Sequence, residues 1–300
     1  MASPKEMLRV GKRTFSVSNR DKVLFPEDGI TKGELIDYYA AIGPVMVPHT
    51  KNHPLTMERY PDGLGGHQIM HKNMPDYFPD WIGRSEQPKK GGTVTYVLAN
   101  EAATLAYLAQ QGSITQHIWQ STAAKPFEPD MMVVDLDPTT EDFNEVRKAA
   151  LLFRDVFSDL DLVPFVKTTG SRGLHVVAPI RARFGFDVVH EVAVRIAQRV
   201  IAENPKLLTL EFYKEKRGTK IFADVHRNGY GATAVAPFSV RPRRGAPVAV
   251  TLSWDEVADR KLRPDGFSMS DALERPDHWK NFHTSARSLS KTVKSLGVEA

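Results

Sequence analysis

Met131-Met132-Val133-Val134, followed by Asp135-Leu136-Asp137-Pro138, restricts the fold more than any other stretch of this chain. A compact apolar run predicts a strand buried in a sheet, and the proline, which has no amide donor, predicts its end. Side chains alternate along a strand, so Asp135 and Asp137 fall on one face at its carboxyl end. Two like charges so placed repel unless a cation neutralises them. Oxygen donors favour a hard divalent ion, Mg²⁺ or Mn²⁺. Taken alone, Asp-x-Asp reads more readily as an exposed pair capping the next helix. Asp224 changes that balance, because Lys220 to Asp224 reads as a second strand with a carboxylate at its end. If the two strands are neighbours, three carboxylates share one face. That arrangement suits two divalent ions bridging a nucleoside triphosphate and an attacking hydroxyl.

Other segments extend the pattern. Phe143, Val146, Ala150, Phe153 and Phe157 recur at helical spacing, and Val188 to Glu203 predicts another amphipathic helix closed by Pro205. Leu162 to Thr168 and Leu174 to Ile180 predict strands flanking Thr169-Gly170-Ser171-Arg172-Gly173, a polar hairpin turn. Glycines here let the backbone approach a phosphate, while Ser171 and Arg172 offer donors and His175 opens the next strand. Upstream, Thr31-Lys32-Gly33-Glu34 has the form of a capping box opening a helix with Leu35, Tyr38, Tyr39 and Ile42. Asn100 is placed to cap a second helix through Ala103, Leu105, Leu108 and Ala109. Pro61 to Gly92 predicts loops and short strands, and the N-terminal part reads as a mixed lobe without strong strands. Ala232 to Val240 is interrupted by Pro237 and stays unassigned; the tail from Ser285 reads as a surface helix or frayed end.

Composition narrows the chemistry. Of 300 residues, 41% are apolar, enough for a full core, and none is cysteine, which excludes disulfides and thiolate metal sites. That composition suits a cytoplasmic protein, and neither a cleavable leader nor a membrane-length apolar run is found. Forty basic and 36 acidic residues leave a charge of +4. The basic residues cluster with turn residues at Lys89-Lys90-Gly91-Gly92, Lys214 to Lys220 and Arg241 to Arg244, where exposed cations suit phosphate as well as solvent. Ser239-Val240-Arg241 follows Ala236-Pro237-Phe238, and an arginine fork there suits a triphosphate.

In their order, these segments resemble one family, the polymerase domain of bacterial ligase D, within the archaeo-eukaryotic primase superfamily. Val133-Val134-Asp135-Leu136-Asp137-Pro138 resembles its first catalytic motif, Thr169 to His175 its second, and Ile221-Phe222-Ala223-Asp224 its third. Ala236 to Arg241 resembles the nucleotide-binding segment that follows. Asp21-Lys22-Val23-Leu24-Phe25-Pro26 with Thr31-Lys32 resembles the opening stretch. The resemblance runs from Ser16 to Ser270. It implies an α+β fold: a primase-polymerase catalytic core of two β-sheets with flanking helices. It also implies one domain over 1–300, with a mixed lobe over about 1–125, a catalytic lobe over about 126–275 and a basic tail over 276–300.

The implied function is nucleotidyl transfer, adding NTPs or dNTPs to primer 3′ ends at gaps and double-strand-break ends during non-homologous end joining. By position, Asp135, Asp137 and Asp224 are the implied ligands of two divalent ions, Mn²⁺ or Mg²⁺. His117, Thr169, Ser171, Arg172, His175, Arg217, Ser239 and Arg241 are implied nucleotide contacts. Lys22 and Lys32 are implied to grip a downstream 5′-phosphate on DNA, Lys72 to lie near the DNA, and the loop Arg84 to Gly92 to reach the primer. Ku and a DNA ligase are implied partners, with a nucleoid-associated, cytoplasmic location. The chain is expected to be a stand-alone polymerase or an excised domain.

Arg172 stands where the family usually has lysine, Thr169 where it has serine, and Arg227 where it often has a shorter polar residue. Ile69-Met70 falls where related domains often carry paired phenylalanines against a template base. The residues also admit a metal-dependent nuclease or other phosphotransferase, and a non-catalytic DNA-end-binding module; the triphosphate-binding cations and the complete carboxylate set favour the polymerase.

Overall fold

The stripe Phe143, Val146, Ala150, Phe153 and Phe157 is wholly or almost wholly buried along the helix Phe143–Asp159 in a computed structural model that describes residues 6–299. The chain divides into two compact units: residues 1–118, 235–249 and 267–275, and residues 119–234, 250–266 and 276–300.

In the first unit the Thr31 capping box forms as the sequence predicts. The Thr31 hydroxyl accepts from the Glu34 amide, and the Glu34 carboxylate accepts from the Thr31 amide, starting the helix Lys32–Thr50. A second helix, Ala102–Gln110, packs against it. Asn100 does not cap that helix. The N-cap is Glu101, which makes no side-chain cap bond, and the Asn100 amide pairs instead with Asn52.

The expectation of weak strands also needs correction. Four strands run in the antiparallel order Ser113–Trp119, Pro54–Arg59, Gly92–Leu98 and Gly83–Lys89, with Ile69–His71 pairing Pro54–Arg59. Thr56, Glu58, Thr115 and Gln116 are buried on these strands. Polar residues at inward positions erase the apolar alternation by which a strand is read.

In the second unit six strands run in the order Leu208–Thr209, Ile221–Asp224, Met131–Asp137, Leu174–Pro179, Phe165–Thr168 and Thr251–Leu252. The Leu208–Thr209 pairing is parallel and the others are antiparallel. The central Met131–Asp137 strand extends through both aspartates, with Met132, Val134 and Leu136 fully buried. The helices Phe143–Asp159 and Phe186–Glu203 pack on this sheet and on each other. Between Phe165–Thr168 and Leu174–Pro179 lies the hairpin that the turn residues predict. Its first strand is shorter than expected because Pro164 has no amide to give and Asp161 turns at φ 61°.

Ala232 to Val240 resolves into strands Thr233–Val235 and Ser239–Val240 on either side of Pro237. The tail is neither frayed nor merely superficial. Leu289, Thr292 and Val293 are buried around the helix Ser290–Ser295, and the Thr292 hydroxyl donates to the Leu160 carbonyl at 3.3 Å. Among the described residues no helix is long and apolar enough to cross a membrane.

Candidate active site

The strand pairing of the second unit sets one row of charge across four strands. Lys167 is registered with His175, His175 with Asp135, and Asp135 with Asp224. Residues directly opposite in a ladder share a face, so the two strands are neighbours and Asp224 joins Asp135, with Asp137 one pleat further on. Hairpin geometry brings a fourth segment to them. Gly170 turns at φ 62°, and the Thr169 hydroxyl lies 3.1 Å from both the amide and the carbonyl of Gly173, closing the turn. A Cβ on Gly173 would stand 2.1 Å from the Leu136 carbonyl, so only glycine lets the turn pass against the backbone between the two aspartates. Ser171 sits half-buried at the tip and Arg172 is exposed.

Three arginines hold the carboxylates. Arg172 Nη2 lies 3.0 Å from Asp137 Oδ1, and Arg217 Nη1 lies 3.2 Å from Asp137 Oδ2. Arg217 is buried: it also donates to the Glu211 and Phe212 carbonyls and stacks over the Phe222 ring. Arg227 places Nε and Nη2 at 3.3 and 3.2 Å from Asp135 Oδ2, and its Nε 3.5 Å from Asp224 Oδ2. The remaining Asp224 oxygen accepts from the His226 amide.

Burial works against ionisation of Asp135, but His175, Arg227 and Lys167 outweigh it and hold the group below the usual carboxylate range. Asp224 shifts the other way: burial and the Asp135 charge raise it despite Arg227. His175 is pushed down to about 4, first by burial and then by Lys167. Its Nε2 is 3.5 Å from Asp135 Oδ1, and its buried Nδ1 has no hydrogen-bond partner. Burial and Lys167 thus disfavour a charged ring between Lys167 and Asp135.

The donor chemistry fits a hard divalent cation: carboxylate oxygens on neighbouring strands, with no competing thiolate. As folded, the neutralising cations are arginines. Among the described residues no three acidic or histidine side chains already stand in a metal-ligand cluster.

A second cluster lies in the first unit. His117 Nε2 is 3.0 Å from Glu58 Oε2, while Tyr60 and Gln68 donate to Glu58 Oε1 at 3.1 and 2.8 Å. Burial opposes the Glu58 charge, yet His117, Arg241 and Tyr60 lower the group to about 2. Ser239 is fully buried, and its oxygen accepts from the Gln116 amide at 2.7 Å and meets the Tyr39 hydroxyl at 3.2 Å. Its hydroxyl therefore has structural partners wherever else it acts.

Lys22 and Lys32, ten positions apart, are brought together: the Lys32 amide donates to the Lys22 carbonyl at 2.8 Å across a short hairpin. Lys32 is only 6% exposed, and burial followed by the nearby Lys22 charge lowers its pKa. Lys22 pairs with Asp62 at 3.1 Å, and Lys72 is exposed on the chain just past the Ile69–His71 strand. The sequence reading missed Glu58 and Lys167. An acidic or cationic residue inside an otherwise apolar strand is the signal that could have found them.

Residues 31–283 match the model of the LigD primase-polymerase domain. The multifunctional non-homologous end joining protein LigD of Mycolicibacterium smegmatis is 35% identical over 266 residues, covering 88% of this chain and 35% of that protein. The bifunctional LigD of Bacillus subtilis is 27% identical, covering 85% of this chain and 41% of its own length. The chain thus spans about a third of the length of the curated relatives it matches. Among solved structures, the polymerase domain of Mycobacterium tuberculosis ligase D in complex with DNA is similar at a TM-score of 0.85 and 31% identity, covering 92% of this chain and all of that one. Sequence, fold and the order of the site segments agree: this chain belongs to the LigD primase-polymerase domain family.

Proposed function

We propose that this chain is a nucleotidyltransferase that extends DNA primer ends with NTPs or dNTPs at gaps and breaks, and that the whole of 1–300 acts as one primase-polymerase domain. The observation that carries this reading is the register of Asp135 against Asp224, with Asp137 on the same strand. In the reaction a primer 3′-hydroxyl attacks the α-phosphorus, a new phosphodiester forms, and pyrophosphate leaves. Asp135, Asp137 and Asp224 are the residues to hold divalent ions, Mn²⁺ or Mg²⁺, two in the full site. When bound, such ions supply charge neutralisation on the triphosphate and a more acidic attacking hydroxyl.

Arg172 and Arg217, already aimed at Asp137, can exchange that carboxylate for phosphate oxygens, and Thr169 and Ser171 frame the turn beneath them. His175 borders Asp135, while His117, held by Glu58, and Arg241 and Ser239 are assigned to the nucleotide as in the family. Lys22 and Lys32 form a cationic pair suited to a terminal phosphate, which carries more charge than an internal diester. Lys72 adds a cation toward DNA. The relatives' names extend the reading to non-homologous end joining; Ku and a DNA ligase as partners, in a bacterial cytoplasm, are part of this proposal.

Primer extension on a gapped duplex with a downstream 5′-phosphate, comparing NTPs with dNTPs and Mg²⁺ with Mn²⁺, tests the proposal. Metal-dependent elongation is expected; shortening of the primer instead would establish a nuclease.

A further inference from the structure

Arg227 differs from the other arginines of the site. It is the one among the described residues that bridges two of the three carboxylates, Asp135 and Asp224, through Asp135 Oδ2 and Asp224 Oδ2. Its backbone is fixed. The turn His226–Asn228 follows the Ile221–Asp224 strand after the single residue Val225, and the Asn228 side chain accepts from the Val133 amide at 2.8 Å and donates to the Val133 carbonyl at 2.7 Å. Its guanidinium end is not fixed. The side chain is 42% exposed, against 7% for Arg217, and among the described residues no carbonyl or aromatic clamp like that of Arg217 holds it in place. The two carboxylates beneath it are far more buried, at 13% and 14%. Buried like charges in register are costly unless a cation lies between them. An arginine rooted three positions beyond Asp224 supplies that cation from within the chain.

We propose that Arg227 is a tethered counter-cation that competes with a divalent ion for Asp135 and Asp224, and so sets the metal concentration at which the site loads. A divalent ion taking these oxygens has to displace two guanidinium contacts from Asp135 and one from Asp224. The long exposed side chain can swing to solvent while its backbone stays pinned by Asn228. Apparent metal affinity is thereby lowered, and the metal-free fold is spared the repulsion of the paired carboxylates. The inference rests on the assignment of Asp135 and Asp224 as metal ligands.

The test measures Mn²⁺ binding to the full chain without nucleotide, by electron paramagnetic resonance of the free ion, for wild type, Arg227→Gln, Arg227→Lys and Asp135→Asn. Arg227→Gln removes the charge with little change in length and is expected to bind Mn²⁺ about tenfold more tightly, the value of one displaced ion pair. Arg227→Lys should fall between it and wild type, and Asp135→Asn should lose the site. Thermal unfolding supplies a second readout: metal-free Arg227→Gln should melt below wild type and recover more on adding Mn²⁺. Equal or weaker Mn²⁺ affinity in Arg227→Gln overturns the role of Arg227 and leaves the metal assignment standing. No binding by any variant overturns both. Should Arg227→Gln fail to fold without metal, the guanidinium ¹⁵N resonance of Arg227 in the wild type decides: a shift on titrating Mg²⁺ upholds displacement, and an unmoved resonance rejects it.

Discussion

Glu58 shows how one residue can carry a large share of a local network. It sits 6% exposed with four groups around it, and its pKa is drawn down to about 2 from an ordinary 4.5. A depressed carboxylate stabilises the fold fully above its unfolded value and loses that contribution as pH falls through the folded value. Glu58 thus contributes stability that is present at neutral pH and lost between about pH 4.5 and pH 2. Urea unfolding at several pH values checks this: Glu58→Gln should flatten the acid limb that the wild type shows, and an unchanged limb would mean that other carboxylates dominate it. The sequence reading passed over Glu58 because a lone glutamate beside Arg59 looks like surface. Only the fold, by laying His117 opposite Thr56 in the next strand, brings an imidazole within reach of it. Arg227 was visible as a departure from related sequences, but its span of two carboxylates depends on register, which no local pattern gives.

Among the elements, the Phe165–Thr168/Leu174–Pro179 hairpin is tied most tightly to the chemistry. Its turn passes so close to Leu136 that Gly173→Ala puts a methyl into a carbonyl oxygen. Relief requires the turn to lift from the Asp135–Asp137 segment, at a cost of roughly 2–3 kcal/mol, typical of overpacking at a site that cannot relax. The variant should unfold at lower denaturant and lose nucleotide addition more steeply than DNA binding. Wild-type stability would show that the backbone there yields. This hairpin, the central strand and the two long helices of the second unit were legible because apolar runs, turn residues and helical spacing agree with one another. The sheet of the first unit was not, since Thr56, Glu58, Thr115 and Gln116 are buried on its strands where apolar residues are expected. Asn100 illustrates the same limit at a cap: Asn52, distant in sequence, claims its amide first.

At the scale of the whole molecule, the proposed function divides between recognition of a DNA end and chemistry at a primer terminus. Lys22 and Lys32, drawn together in the first unit, predict that gapped DNA with a downstream 5′-phosphate binds more tightly than the same duplex with a 5′-hydroxyl. The margin should shrink as salt rises. Replacing both lysines with alanine should erase the margin in equilibrium binding at fixed salt without altering Mn²⁺ affinity; equal wild-type affinity for the two ends would reduce the pair to generic surface charge. The proposed chemistry depends on the carboxylates of the second unit. Asp135→Asn keeps the size of the side chain and removes its charge, so primer extension by this variant on the gapped, 5′-phosphorylated duplex is the most direct test. Extension should fall at least about a thousandfold, the order expected when a group that stabilises transition-state charge is lost, with DNA affinity within about twofold of wild type. Extension at the wild-type rate by Asp135→Asn would contradict the assignment of this site.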